Sequence, residues 1–423
     1  MRSNYLLCCL LWSCTLLAHA ESHAPPAPIN PGNGLSLEQA LDLALNANAE
    51  IAVGLREREA IQGMQLQAAA RPNPVATARI EDLRSNTRES TLEISQPLEL
   101  GNKRAIRMQA ADVYYDAATA ALALKKAELQ ADVMAAFYGV LAAQERQELA
   151  EDSLQIAQRA KDVASKRVLA GKLSPVEETR SRIAETSVRI ELAQAKSALN
   201  IARRQLAALW GDALPGFTKA EGRIENFHRL PGLEQLNRQL DNAPAMQRAR
   251  LEVDTRQALA DVEKTKATPD IAVTVGAKRN EELGLNQAVL GLSVPIPLFD
   301  RNQGNIQEAL SRTDKARAEA AALRVQLEAA LARAYEQLHS SQQAAVSYEN
   351  EILPDAQNAF EAISKGFEFG KFNFHEVLDA QRALVQVKLL RLGTLLQAHQ
   401  AAADIRRILG DAATISTTQL QEQ

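Results

Sequence analysis

Residues 102–168 read NKRAIRMQAADVYYDAATAALALKKAELQADVMAAFYGVLAAQERQELAEDSLQIAQRAKDVASKRV, and this stretch decides the architecture. It holds no proline and one glycine, Gly139. Alanine, leucine, glutamine and paired charges dominate it, all strong helix formers. Taken as one helix at 1.5 Å per residue, it reaches about 100 Å. Ordinary helices average about 11–12 residues, so no globular domain of this size encloses such a rod. Its apolar positions, among them Ile106, Val113, Leu122, Leu129, Val133 and Val140, are flanked by alanines on neighbouring faces. A helix of that kind packs closely on more than one side, which suits a wall or tube of helices.

Working outward, the rod stops at Leu169-Ala170-Gly171, a glycine-type C-terminus. Ser174-Pro175 starts a returning helix that runs to Leu209-Trp210-Gly211. Upstream, Ser36 reads as the N-cap of a helix opened by Leu37-Glu38. A break at Asn46–Asn48 precedes a second helix, which Arg71-Pro72-Asn73-Pro74 ends. Between that helix and the rod the period changes from helical to alternating. Val75–Leu83 and Thr91–Leu98 read as two strands joined by Arg84–Ser90.

The same order then returns at an offset of 196 to 199 residues. Leu37-Glu38-Gln39 recurs as Leu233-Glu234-Gln235, Pro72 as Pro269 and Pro97 as Pro295. Tyr138 matches Tyr335, Gly171 matches Gly370, and Leu209-Trp210-Gly211 matches Ile408-Leu409-Gly410. Strands are expected at Ile271–Lys278 and Gln287–Val294, and a second long helix from about Asn305, kinked by Pro354. The domain reading is a signal peptide at 1–20, an irregular segment at 21–34, a first repeat at 35–211, a linker at 212–232, a second repeat at 233–410 and a disordered tail at 411–423.

Each returning helix is about half as long as its rod, so each needs a partner stacked on its end. The expected pairs cross between halves: Ser174–Leu209 on Ala243–Lys266, and His375–Ile408 on Ala49–Ala70. The strands have the length of membrane strands. In the third, Ile271, Val273, Val275 and Ala277 share one face, and Thr274, Gly276 and Lys278 the other. An apolar and a small or polar face suit a barrel wall between lipid and water. Four strands cannot close a barrel, and lipid tolerates no open edge. The chain would therefore pool strands with copies of itself, three giving twelve. The alternative is a soluble four-stranded sheet capping a helical bundle. None of the four strands contains Trp, Tyr or Phe, and Phe299 is the one aromatic nearby, so any aromatic girdle is thin.

Composition narrows the class. Aromatic content of 4% argues for extended helices over a bulky core. A net charge of −4 supplies no basic excess for nucleic acid. Arg2, the apolar run Leu6–Leu17 and Ala18-His19-Ala20 read as an n-region, h-region and cleavage site. Cys14 could instead be a lipidated cysteine, but Trp12 fits that motif poorly and apolar residues continue beyond it. Cys8, Cys9 and Cys14 all precede the cleavage site, so the exported chain carries no disulfide and no thiolate metal site. No later apolar run approaches 18 residues, so membrane insertion would have to use strands. Gly-x-Ser-x-Gly, a phosphate-binding glycine loop and His-Glu-x-x-His are all missing, and nothing supports an enzyme or a cofactor.

From about residue 35 to 410 the chain resembles the TolC-like outer-membrane efflux proteins. The resemblance is carried by Leu35-Ser36-Leu37-Glu38-Gln39-Ala40-Leu41, by the duplicated plan, and by Gly366-Phe367 through Gly370 to Glu376-Val377-Leu378-Asp379-Ala380-Gln381. Val294-Pro295-Ile296-Pro297-Leu298-Phe299-Asp300-Arg301-Asn302-Gln303-Gly304-Asn305 is similar to the branch serving cobalt, zinc and cadmium efflux. The resemblance implies a mainly α fold with a small β part. A long coiled-coil α-helical barrel would lie in the periplasm, and four β-strands per chain would contribute to a trimeric twelve-stranded outer-membrane β-barrel. It also implies a homotrimer set in outer-membrane lipid, a periplasmic adaptor (membrane fusion) protein and an inner-membrane resistance-nodulation-division pump as partners. An export channel for drugs or organic solutes, and a periplasmic coiled-coil scaffold, are the alternatives.

Site residues follow from the same resemblance. The turns Gly171-Lys172-Leu173-Ser174-Pro175 and Gly370-Lys371-Phe372-Asn373-Phe374 correspond to the tips facing the adaptor, with Leu173, Phe372 and Phe374 as apolar knobs. The competing reading is a pair of ordinary helix links packed on themselves. Glu376 and Asp379 share a helix face and match the carboxylates of the periplasmic constriction. Three copies would ring the axis with acid and favour cations. The competing reading is a solvated acidic first turn, where carboxylates are favoured anyway. His375 and Asp379 are spaced for a shared ion, but two ligands do not make a site and no metal is assigned.

Overall fold

A computed structural model of the chain describes residues 34–225 and 231–410. The expected signal peptide, all but the last residue of the irregular segment, linker residues 226–230 and the tail from 411 lie outside them.

Helix α1 (Leu37–Ala47) opens as expected: Gln39 N–H donates to Ser36 Oγ at 3.2 Å, and Ser36 N–H to Gln39 Oε1 at 2.9 Å. This reciprocal box satisfies two helix-end donors. Asn48 caps α2 (Ala49–Ala69). Strands β1 (Val75–Glu81) and β2 (Glu89–Leu98) follow. Helix α3 (Lys103–Leu169) is one uninterrupted rod of 67 residues, and α4 (Pro175–Ala208) returns along it. The second half repeats the order with α5 (Leu233–Gln239), α6 (Pro244–Lys266), β3 (Ile271–Asn280), β4 (Leu285–Ser293), α7 (Gln303–Ser347), α8 (Leu353–Glu368) and α9 (Phe374–Leu409). Both rods begin after a left-handed asparagine, Asn102 at φ 61° and Asn302 at φ 60°, so the second starts two residues earlier than Asn305. At Pro354 the break takes the form of a π-helical turn over Tyr348–Ile352. Proline has no N–H to offer the carbonyl four residues back, and the turn before it widens.

Helix α3 packs against α1, α2, α4, α6 and α9, while α7 packs against α6 and α9. The wall therefore has four columns: α2 continued by α4, then α3, then α6 continued by α9, then α7 with α8. This corrects the crossed stacking expected above. Asn48 Nδ2 donates to the Leu209 carbonyl at 2.8 Å, seating α4 on α2 of its own half. A Cβ on Gly410 would lie 2.9 Å from Pro244 Cγ, so the end of α9 abuts the start of α6. The tight hairpin turn brings each returning helix back beside its own rod, on the flank its own half already occupies.

The core sits mid-wall, where Leu35, Phe137, Leu206, Trp210, Phe217 and Ile224 are buried together. Leu35 bridges Ala220, and the Gln144 amide closes both backbone groups of Ala220 at 2.7 and 3.2 Å. The four strands form one antiparallel sheet in the order β1-β2-β3-β4. Its middle seam, β2 against β3, joins the two halves and pairs Ile94 with Val275 and Ser95 with Thr274.

Candidate functional site

The sheet wears its polarity inside out. Ile80, Leu92, Ile94, Val273, Val275, Leu290 and Leu292 are all exposed. The register places them with Ala76, Ala78, Ala277 and Ala288 on one face. On β2 and β3 the opposite face carries Thr91, Glu93, Ser95, Thr274, Gly276 and Lys278, and these are the half-buried residues. Lys278 pairs with Glu89 there at 2.5 Å, and the Thr274 and Ser95 hydroxyls meet at 3.1 Å. A sheet folded for water hides its apolar face, and the central strands of this one, β2 and β3, hide their polar face. Moving those seven side chains from water into lipid is worth on the order of 10 kcal/mol per chain. Strands β1 and β4 leave two unpaired edges, each backbone group of which would cost several kcal/mol in lipid. Just past β4, Ile296, Leu298 and Phe299 are exposed, Phe299 at 92%. Among the described residues no helix is long and apolar enough to cross a membrane.

At the other end of the wall the two hairpin tips share one construction. Gly171 (φ 68°) and Gly370 (φ 76°) sit in left-handed backbone. Lys172 N–H donates to the Arg167 carbonyl at 2.9 Å and Lys371 N–H to Gly366 at 2.8 Å, closing both helix ends. Ser174 caps α4 through Val176 N–H at 3.3 Å. The tips touch each other: Arg167 stacks 4.1 Å from the Phe367 ring centre and donates to its carbonyl at 3.1 Å. Nearby, buried Glu185 binds Arg189 and, at 3.3 Å, Lys161. The Arg189 hydrogen bond holds its carboxyl below the usual range.

Of the apolar knobs, Leu173 is half-buried and Phe372 is exposed at 39%, its ring lying over Gly366 and leaving no room there for a Cβ. The Phe374 side chain lies outside those described. The residues that stand out are Leu169 at 88% and Phe369 at 79% exposure, with Val176 beside them at 58%. Leu169 is the last residue of α3 and Phe369 the C-cap of α8. Large apolar residues next to the glycine that ends each helix were the available signal, Leu169 two positions before Gly171 and Phe369 directly before Gly370.

Of the acidic pair, Glu376 has a structural duty. Its Oε2 accepts from Asn373 N–H at 2.7 Å while Glu376 N–H donates to Asn373 Oδ1 at 3.0 Å, the capping box of α9. Asp379 is exposed one turn on, with His375 at 3.7 Å and Arg382 at 3.8 Å. Among the described residues no three His, Cys, Asp or Glu gather as a metal-binding group. A denser charge cluster lies mid-wall, where Arg391 binds Glu349 of the π turn and, at 3.2 Å, Glu225. Burial, and then the charge of Glu225, push the neighbouring Glu145 carboxyl up.

The family model for outer membrane efflux proteins matches residues 40–212 and 236–411. The chain is 43% identical over 389 residues to the cobalt-zinc-cadmium resistance protein CzcC of Cupriavidus metallidurans, covering 92% of this chain and 93% of that one. It is 31% identical to the nickel-cobalt-cadmium resistance protein NccC of Alcaligenes xylosoxydans xylosoxydans, over 59% of this chain and 57% of that one. Among solved structures the CusC channel superposes with a TM-score of 0.77 at 18% identity, over 88% of this chain and 92% of that one. The outer membrane protein VceC of Vibrio cholerae does so with 0.72 at 17%, over 88% and 96%. The structural likeness fixes the fold, and the sequence likeness fixes the lineage: the chain belongs to the outer membrane efflux protein family.

Proposed function

We propose that three copies of this chain close into one outer-membrane channel that carries heavy-metal cations of the cobalt, zinc and cadmium class from the periplasm to the outside. The observation that carries the cargo class is the whole-length likeness to a protein named for resistance to those metals. The inside-out sheet supports the membrane setting, because its exposed apolar face is stable only against lipid. The helical wall then projects into the periplasm with Leu169 and Phe369 at its far end, where a periplasmic adaptor docks and links the channel to an inner-membrane resistance-nodulation-division pump. The channel is passive and the pump drives transport. Glu376 and Asp379 line the periplasmic constriction, Asp379 as an exposed charge outside the helix cap and Glu376 as a charge anchored by it. Deleting the chain from its host should raise sensitivity to cobalt, zinc and cadmium together, and a plasmid copy should restore tolerance. A deletion strain with unchanged metal tolerance and new sensitivity to organic drugs would contradict the proposed cargo.

A further inference from the structure

We propose that β4 of one copy pairs antiparallel with β1 of the next in one register, Ser293 opposite Thr77 and Gly291 opposite Arg79; this rests on the closed-barrel reading above. The structure contains a template for that joint. Inside the chain, β2 meets β3, the first half meeting the second. Around a closed ring, β4 meeting the next β1 is the second half meeting the first. The duplication lays β2 on β4, Pro97 on Pro295, and β3 on β1, with Pro269 on Pro72 marking the approach. Carried through that superposition, each pair across the inner seam names a pair across the outer one.

Three features of the inner seam survive the transfer. Ser95 and Thr274, whose hydroxyls lie 3.1 Å apart, become Ser293 and Thr77, the same two residue types. Glu93 opposite Gly276 becomes Gly291 opposite Arg79. A Cβ on Gly276 would lie 2.6 Å from the Leu92 carbonyl oxygen and 2.7 Å from Glu93 Cγ, so the glycine there admits both the backbone and the side chain of β2. In the outer seam the long residue and the glycine have changed places, so each seam sets one long side chain opposite one glycine. Leu290 falls opposite Ile80 and Leu292 opposite Ala78, so the apolar face runs on unbroken. A slip of one residue would turn that face over. A slip of two would keep the face but lose both the hydroxyl pair and the glycine pair.

The foot of the seam agrees. Lys103 pairs with Asp270 at 2.7 Å, tying the start of the first rod to the approach to β3. Aligning the two left-handed caps, Asn102 on Asn302, which lies two residues beyond the Pro97/Pro295 offset, and Pro269 on Pro72 turns Lys103 into Gln303 and Asp270 into Asn73. Both charges are replaced together by amides, so neither is left unpaired. The proposed joint between copies then sets two amides where the joint within a copy has an ion pair, and within its own chain Gln303 accepts from Arg301 N–H at 2.9 Å.

The three cysteines of the chain all lie in residues 8–14, which makes disulfide trapping clean. Thr77→Cys with Ser293→Cys, expressed in the full chain and oxidised in membranes, should yield a covalent trimer on a non-reducing gel. The slipped combinations Val75→Cys or Arg79→Cys with Ser293→Cys should give at least about five-fold less, because disulfide geometry is narrow. Ser95→Cys with Thr274→Cys should link within one chain and reports that this seam geometry admits a disulfide. If that control links but the Thr77/Ser293 pair does not, or a slipped pair links as well, the register is wrong. A native mass of three chains in that case leaves the channel reading standing, whereas a mass of one chain removes both.

Discussion

At the scale of single residues, the acidic first turn of α9 separates two kinds of carboxylate. Glu376 holds a helix end and Asp379 does not. Removing each should therefore have different consequences. Asp379→Ala should lower the cation preference of the channel in planar bilayers by about two-fold or more, as expected for a ring of charge at a constriction. Glu376→Ala should lower it too, and should also weaken the α9 start by about 1 kcal/mol through the lost cap. Unaltered selectivity in the double variant would rule out the acidic ring. Capping chemistry was the most legible part of the sequence at this scale. Ser36 and Ser174 were marked by side chains that accept from the helix start, and each does so; Asn48, read from sequence only as part of a break, caps α2 in the same way. The box at Asn373 and Glu376 is equally readable, from an asparagine followed three residues on by a glutamate.

Among the elements, strand faces and rod lengths were legible because each depends on period alone. Neighbour choice was not. Hydrophobic period says which face of α4 is covered, and alanine on several faces leaves its flank undetermined, so the expected end-to-end partner of α4, the helix Ala243–Lys266, is not the one it stacks on. The Asn48–Leu209 bond that decides the matter joins residues 161 apart. At the tips Phe372 is exposed in its turn, and the barest apolar residues, Leu169 and Phe369, stand at the helix ends just before the two turns. Leu169→Asp together with Phe369→Asp should remove metal tolerance to the level of the deletion strain, with trimer mass and helix content unchanged. Those residues make no buried contact that charge would break, so full tolerance in the double variant would refute their role in docking.

On the scale of the whole molecule, the chain is half of several contacts. Its sheet has two bare edges, its apolar strand face lies open, and the α2–α4 and α7–α8 columns form the two flanks of a wall. Two tandem units produce this, each able to seal against the other once, and the remaining seams require more copies. The most direct measurement is the mass of the mature protein extracted from outer-membrane fractions with detergent. The account predicts a heat-modifiable complex of three chains that needs detergent to stay in solution. A single chain, stable and soluble without detergent, would contradict it.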